Sequence, residues 1–210
     1  MVTVETTQLV FFSSGDLRLE GVLHLPEGDG PFPGIVVCHP HPLYGGDMFN
    51  NVVLAICQGA IQASMVALRF NFRGVGKSTG GFSQGIGERE DVAAALTLLS
   101  TTPQVDAQRI GLAGYSFGAT VALPVALRDD YLKALVLISP PLPPAEWETL
   151  QNYPKPSLIL CGTEDEFLSP PPTLPSHVQY ELIPGVDHFW WGYETKLAAK
   201  VSAFLSTALR

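Results

Sequence analysis

The stretch RIGLAGYSFGATVALPVALR, Arg109 to Arg128, decides the fold. RIGLAG is a short apolar run of the kind that forms a buried strand, and FGATVALPVALR reads as a helix. Only Tyr115 and Ser116 separate them. A strand that passes into a helix without a loop must turn sharply, and Ser116 stands at the tip of that turn. Gly114 and Gly118 flank it and let the helix and the neighbouring strands crowd in. A serine held this way presents its hydroxyl above the sheet edge, so Ser116 is the candidate nucleophile, with a helix-capping serine as the ordinary alternative.

The pattern G-x-S-x-G occurs twice more, at Gly76-Lys77-Ser78-Thr79-Gly80 and Gly81-Phe82-Ser83-Gln84-Gly85. Chance alone supplies about 0.1 such match in a chain of this composition, so context has to separate the three. Ser78 and Ser83 lie in a glycine-rich loop without a strand directly before and a helix directly after. The same loop contains GKST, the tail of a phosphate-binding loop. The first glycine of that motif would fall at position 71, which is Asn71, and Thr79-Gly80-Gly81 is hostile to the helix a phosphate site needs. No nucleotide or other cofactor is expected.

Outward from Ser116, apolar strand-like runs alternate with helix-like segments. GIVVCHP, MVALRFNF, ALVLIS, SLILCG and VQYELIP read as strands. NNVVLAICQGAIQ, GEREDVAAALTLLS and TKLAAKVSAFLSTAL read as helices. In the second helix Val92, Ala95, Leu96 and Leu99 share a face, and Glu88, Glu90 and Asp91 occupy the first turn, where carboxylates suit the helix dipole. The last helix carries Leu197, Val201, Phe204 and Leu205 on one stripe. At the start, QLVFFSS and LRLEGVLHLP flank Ser14-Gly15-Asp16 as a hairpin. The expected class is α/β: one domain over 1–210, a mostly parallel sheet of about eight strands with an antiparallel start and helices on both faces. The proline-rich PPLPPAEWETLQNYPKPS is read as a plain connection.

The chain has 210 residues, 46% hydrophobic and 15% charged, which suits a packed domain rather than a disordered one. Its net charge of −8 argues against nucleic acid or an anionic membrane as partner. The first residues lack the basic start and long apolar run of an export signal. Three cysteines, Cys38, Cys57 and Cys161, each sit in an apolar run. They read as buried reduced thiols, and a cytoplasmic location is expected.

With its strand–Ser116–helix turn, the chain resembles the α/β-hydrolase family along nearly its whole length. Asn71-Phe72-Arg73-Gly74-Val75-Gly76-Lys77-Ser78 is similar to the family's D-x-R-G-x-G-x-S loop, with asparagine in place of the usual aspartate. HPHPLYGGDMFNN resembles the small lidless, dienelactone-hydrolase-like members. The resemblance implies a triad in the order Ser, Asp, His. His24, His39 and His41 precede Ser116. His177 comes before the last strand, at the wrong end of the sheet. His188, after that strand, is the expected base. The family's G-x-x-D-x-x-x-P pattern maps onto Gly162 to Ser169 with Asp165 as the acid and the proline one place late, at Pro170. Glu164 and Glu166 are its neighbours in competition, and Asp187 is read as a turn residue.

The resemblance also implies an oxyanion hole. Its first donor is the amide of Phe117. The second comes from the loop after GIVVC, where Pro40 and Pro42 have no N–H; by analogy His41 is favoured over His39 and Leu43. The H-x-H pair His39/His41 is read as loop architecture rather than a metal site. Tyr44, Phe82, Trp147, Trp190 and Trp191 are the expected rim of an open, lidless site. The implied activity is hydrolysis of a small-molecule carboxylic ester, of short acyl chain, through an acyl-enzyme. A thioesterase or lactonase using the same residues is the alternative, and a non-catalytic binding module is the reading from another class.

Overall fold

The computed structural model describes residues 5–169, 171 and 173–210. Pro170, the late proline of the Asp165 motif, lies outside the described residues. β1 (Glu5–Ser14) and β2 (Leu17–Pro26) form a hairpin in which Ser14 faces Leu17 across a two-residue turn, with Gly15 at φ +57°. Then follow β3 (Phe32–Cys38), a single 3₁₀ turn (Pro42–Tyr44), α1 (Asn51–Gln62) and β4 (Val66–Phe70). Next come α2 (Gly87–Thr101), β5 (Val105–Tyr115), α3 (Phe117–Ala126) and β6 (Ala134–Ile138). α4 (Pro144–Gln151), β7 (Ser157–Gly162), β8 (Val178–Ile183) and α5 (Glu194–Ala208) complete the chain.

Among the described residues, eight strands form one sheet in the order β1-β2-β4-β3-β5-β6-β7-β8. β2 is antiparallel to β1 and β4, and the other pairings are parallel. Every residue of β4, β6 and β7 is buried, which explains why these segments are apolar without alternation. One face is covered by α1 and α5, the other by α2 and α3 with Trp147 and Leu150 of α4. Leu197, Val201, Phe204 and Leu205 of α5 are all buried, and each such side chain contributes about 1.5–3 kcal/mol of apolar transfer.

β3 lies between β4 and β5, so the chain leaves β3 to one side and resumes at β5 on the other. The loops after β3 and β5 therefore part at the carboxyl edge of the sheet, the place where ligands of such sheets generally bind.

Two expectations are corrected. The proline-rich connection is not plain: it contains α4, started by Pro144 at a position where a missing N–H costs nothing. Trp147 is 1% exposed and Trp190 is 0% exposed. Both are core residues and neither belongs to the rim.

Candidate active site

β5 delivers Ser116 directly into α3. Its backbone is held at φ 52°, ψ −119°, a conformation that an L-residue adopts only under constraint. The constraint is visible in the glycines. A Cβ on Gly114 would sit 2.3 Å from the Gly118 carbonyl oxygen, and one on Gly118 would sit 2.4 Å from that of Cys38. Neither approach is possible with a side chain present. The G-x-S-x-G spacing at 114–118 is thus a packing requirement of the turn. Ser116 N–H donates to Ile138 O at 3.0 Å, which ties the turn to β6.

The structure brings the three residues expected from chain order together. His188 Nε2 is 2.9 Å from Ser116 Oγ. His188 Nδ1 is 2.9 Å and 3.0 Å from the two carboxylate oxygens of Asp165. A proton on Nδ1 facing the carboxylate leaves Nε2 free to accept from the serine hydroxyl, the tautomer a general base needs. Burial alone would raise the Asp165 pKa, but hydrogen bonds from His188 and Ser139 outweigh it and hold the carboxyl below its usual range. Asp187 accepts from Phe189 N–H at 2.9 Å and Trp190 N–H at 3.1 Å, the turn role expected of it. Glu164 and Glu166 are exposed.

Two supporting residues escaped the sequence reading. Tyr115 donates its hydroxyl to His188 O at 2.8 Å and fixes the backbone of the imidazole. Ser139, at φ 43° just beyond β6, accepts the indole N–H of Trp190 at 3.0 Å while stabilising the Asp165 charge. The only sequence signal for Ser139 is its place at the end of ALVLIS, on the carboxyl edge of the sheet.

The loop after β3 is shaped by its two histidines. The buried His39 donates through Nδ1 to Pro40 O at 2.6 Å and accepts at Nε2 from Phe72 N–H at 3.1 Å. Both ring nitrogens are thereby committed to backbone, and burial pushes its pKa down to about 4. His41 accepts at Nδ1 from Leu43 N–H at 3.2 Å, while His41 O receives the amides of Tyr44 and Gly46. Leu43 N–H is therefore occupied. Among the described residues the amides of His41 and Phe117 have no acceptor, and the rings of these two residues are 4.9 Å apart.

The glycine-rich loop is a brace. Ser78 is buried, donates to Asn71 O at 2.7 Å and accepts from Glu20 N–H at 3.0 Å. Arg73 pairs with the buried Asp91 at 2.8 Å, and Glu88 receives the amides of Ser83 and Gly85. All three acidic residues expected to serve the helix dipole thus also hold this loop, since Glu90 pairs with Arg73 as well, at 3.1 Å. Of the residues expected at the rim, Tyr44 is 87% exposed and Trp191 69%, and the Phe82 ring lies tilted against that of His41 at 4.9 Å. The three cysteines are buried as free thiols. No helix among the described residues is long and apolar enough to cross a membrane.

A family model described as the dienelactone hydrolase family matches residues 83–175. The structure of an α/β serine hydrolase homologue from Coxiella burnetii is 31% identical, covers 95% of this chain and 98% of its own, and superposes with a TM-score of 0.84. XC6422 from Xanthomonas campestris, an α/β serine hydrolase without a lid, is 28% identical over 100% of this chain and 97% of its own, with a TM-score of 0.79. Esterase FrsA of Escherichia coli is 29% identical over 63% of this chain, which spans 31% of that protein.

Proposed function

The chain belongs to the α/β serine hydrolases, among their lidless, dienelactone-hydrolase-like members, and from that membership we propose that it is an esterase cleaving short-chain carboxylic esters. The observation that carries this reading is His188 bridging Ser116 and Asp165 at hydrogen-bond distance on both sides.

In the proposed reaction Ser116 Oγ attacks the ester carbonyl carbon, and His188 Nε2 takes the hydroxyl proton. Amides of Phe117 and His41 receive the oxyanion, each such donor being worth about 10²–10³ in rate. The C–O bond to the leaving alcohol breaks, and that oxygen takes the proton from His188. A water then attacks the acyl carbon with the same histidine as base, and Ser116 recovers its proton as the acid departs. Asp165 holds the imidazole tautomer and stabilises the imidazolium.

The exposed Glu164, Glu166 and Asp187 adjoin the acid and base. With a net charge of −8 on the chain, this added negative charge disfavours a polyanionic leaving group and supports an ester over an acyl-coenzyme A. The test is labelling by a fluorophosphonate, with turnover of p-nitrophenyl acetate, acetyl-coenzyme A and a small lactone. The expected outcome is labelling lost in Ser116→Ala, kept in Ser83→Ala and Ser78→Ala, and fastest turnover of the ester. Labelling that survives Ser116→Ala would overturn the assignment.

A further inference from the structure

Two phenylalanines beside the base stand outward at a cost that packing does not explain. Phe167 is 57% exposed and Phe189 is 54% exposed. Neither fills the core, yet each lies against His188. The Phe167 ring centroid is 4.7 Å from that of the imidazole, and the Phe189 centroid is 5.7 Å away at an interplanar angle of 88°.

Both rings are projected by turns that the surrounding residues hold in place. Phe167 N–H donates to Asp165 Oδ1 at 3.0 Å. Phe189 N–H donates to Asp187 Oδ1 at 2.9 Å, and Phe189 O accepts from the Asn51 side chain at 3.0 Å. The next residue, Trp190, is locked in the core with φ 60° and its indole N–H on Ser139. This buried anchor turns residue 189 outward. The two phenyl groups are thus preorganised against the imidazole, which limits the ordering entropy of a ligand contact.

Their position specifies which half of a substrate they meet. The oxyanion points to the amides of Phe117 and His41. The leaving oxygen must come within about 3 Å of His188 Nε2 to receive its proton. Whatever is attached to that oxygen then lies over the exposed rings beside the imidazole; Tyr115 also packs against it but is buried, and the exposed ones are Phe167 and Phe189. We propose that Phe167 and Phe189 form the leaving-group subsite and select esters of phenols over esters of non-aromatic alcohols. The inference rests on the ester-hydrolase reading above. The departing phenol takes the proton that Ser116 gave to His188, its bond to the acyl carbon breaks as the acyl–Oγ bond persists, and water later releases acetate or another short acid.

The test compares phenyl acetate with hexafluoroisopropyl acetate, whose alcohols have similar acidity but differ in aromaticity, in wild type, Phe167→Ala and Phe189→Ala. Fluorophosphonate labelling of Ser116 is followed in each. An aromatic contact of ordinary strength gives a loss of about two- to tenfold. We expect kcat/KM for phenyl acetate to fall about fivefold in each variant, carried by KM, with hexafluoroisopropyl acetate changed less than twofold and labelling retained. Equal loss on both esters would show that the rings only position His188, and no loss on either would show that they are idle; each overturns the subsite. A wild type that is neither labelled at Ser116 nor active on either ester removes the esterase reading itself, and the subsite with it.

Discussion

Asn71 donates its side-chain N–H to Glu20 Oε1 at 2.8 Å, and both residues are buried. Asn71 Oδ1 meanwhile accepts from Met48 N–H at 2.8 Å, which secures the loop leading to α1. The family's loop has aspartate at this place. An aspartate could keep the Met48 contact but has no N–H to offer Glu20. The departure from the family pattern is thus matched to the glutamate on β2.

Asn71→Asp accordingly sets two buried carboxylates against each other. We expect a loss of about 2–4 kcal/mol in unfolding free energy at pH 7, read by urea titration. The loss should shrink toward pH 4 as one carboxylate takes a proton. Adding Glu20→Gln, which restores a donor, should return most of the stability. A variant as stable as wild type at pH 7 would refute the pairing.

His39 should make folding acid-sensitive. Its pKa is about 4 in the fold against an ordinary value of 6.5. The unfolded chain binds the extra proton first, so the His39 contribution is complete above pH 6.5 and is lost as pH falls toward 4. It amounts to at most about 3 kcal/mol. His39→Leu should be less stable at pH 7 and should show a flatter decline between pH 6.5 and 4 than wild type. Parallel declines would exclude His39 as the source.

Asp165→Asn keeps the shape of the acid but presents an N–H or a neutral oxygen to His188. The expected loss in kcat is on the order of 10⁴-fold, with KM little changed, since the wrong imidazole tautomer cannot accept from Ser116. Steady-state kinetics on p-nitrophenyl acetate decides it. A loss below tenfold would mean that another group orients the base.

Ser139→Ala removes the acceptor of the Trp190 indole and one stabiliser of the Asp165 charge. A buried N–H left unpaired costs about 1–3 kcal/mol. We expect that loss in stability, a shift in tryptophan fluorescence and about a tenfold fall in kcat. Unchanged fluorescence would contradict the contact.

Gly118→Ala places a Cβ 2.4 Å from the Cys38 carbonyl oxygen and 2.6 Å from that of His39. Backbone must move to admit it, so the nucleophile turn and the loop after β3 shift together. We expect more than about 3 kcal/mol of destabilisation or insoluble protein. Gly81→Ala meets nothing within 4 Å and serves as the tolerated control.

Much of the fold was legible because apolar patterning reports burial directly. ALVLIS and SLILCG carry no alternation because both their faces are covered. α4 was hidden by prolines that read as breakers yet sit where a helix can begin. The neighbouring tryptophans at 190 and 191 look alike in sequence. A single positive φ at Trp190 sends one indole to the core and leaves the other 69% exposed. The candidates for a second oxyanion amide were narrowed by proline chemistry to His39, His41 and Leu43, and the hydrogen bond from Leu43 N–H to His41 then takes Leu43 out of the set.

Local turn chemistry was enough to nominate Ser116, and the family resemblance, through its residue order and its G-x-x-D pattern, added His188 and Asp165. The sequence could not say that Ser139 and Tyr115 brace them, that Asn71 answers Glu20, or that Phe167 and Phe189 face outward around the imidazole. Those relations join residues that are distant along the chain, and they exist only once the strands have paired and brought their carboxyl ends to one edge.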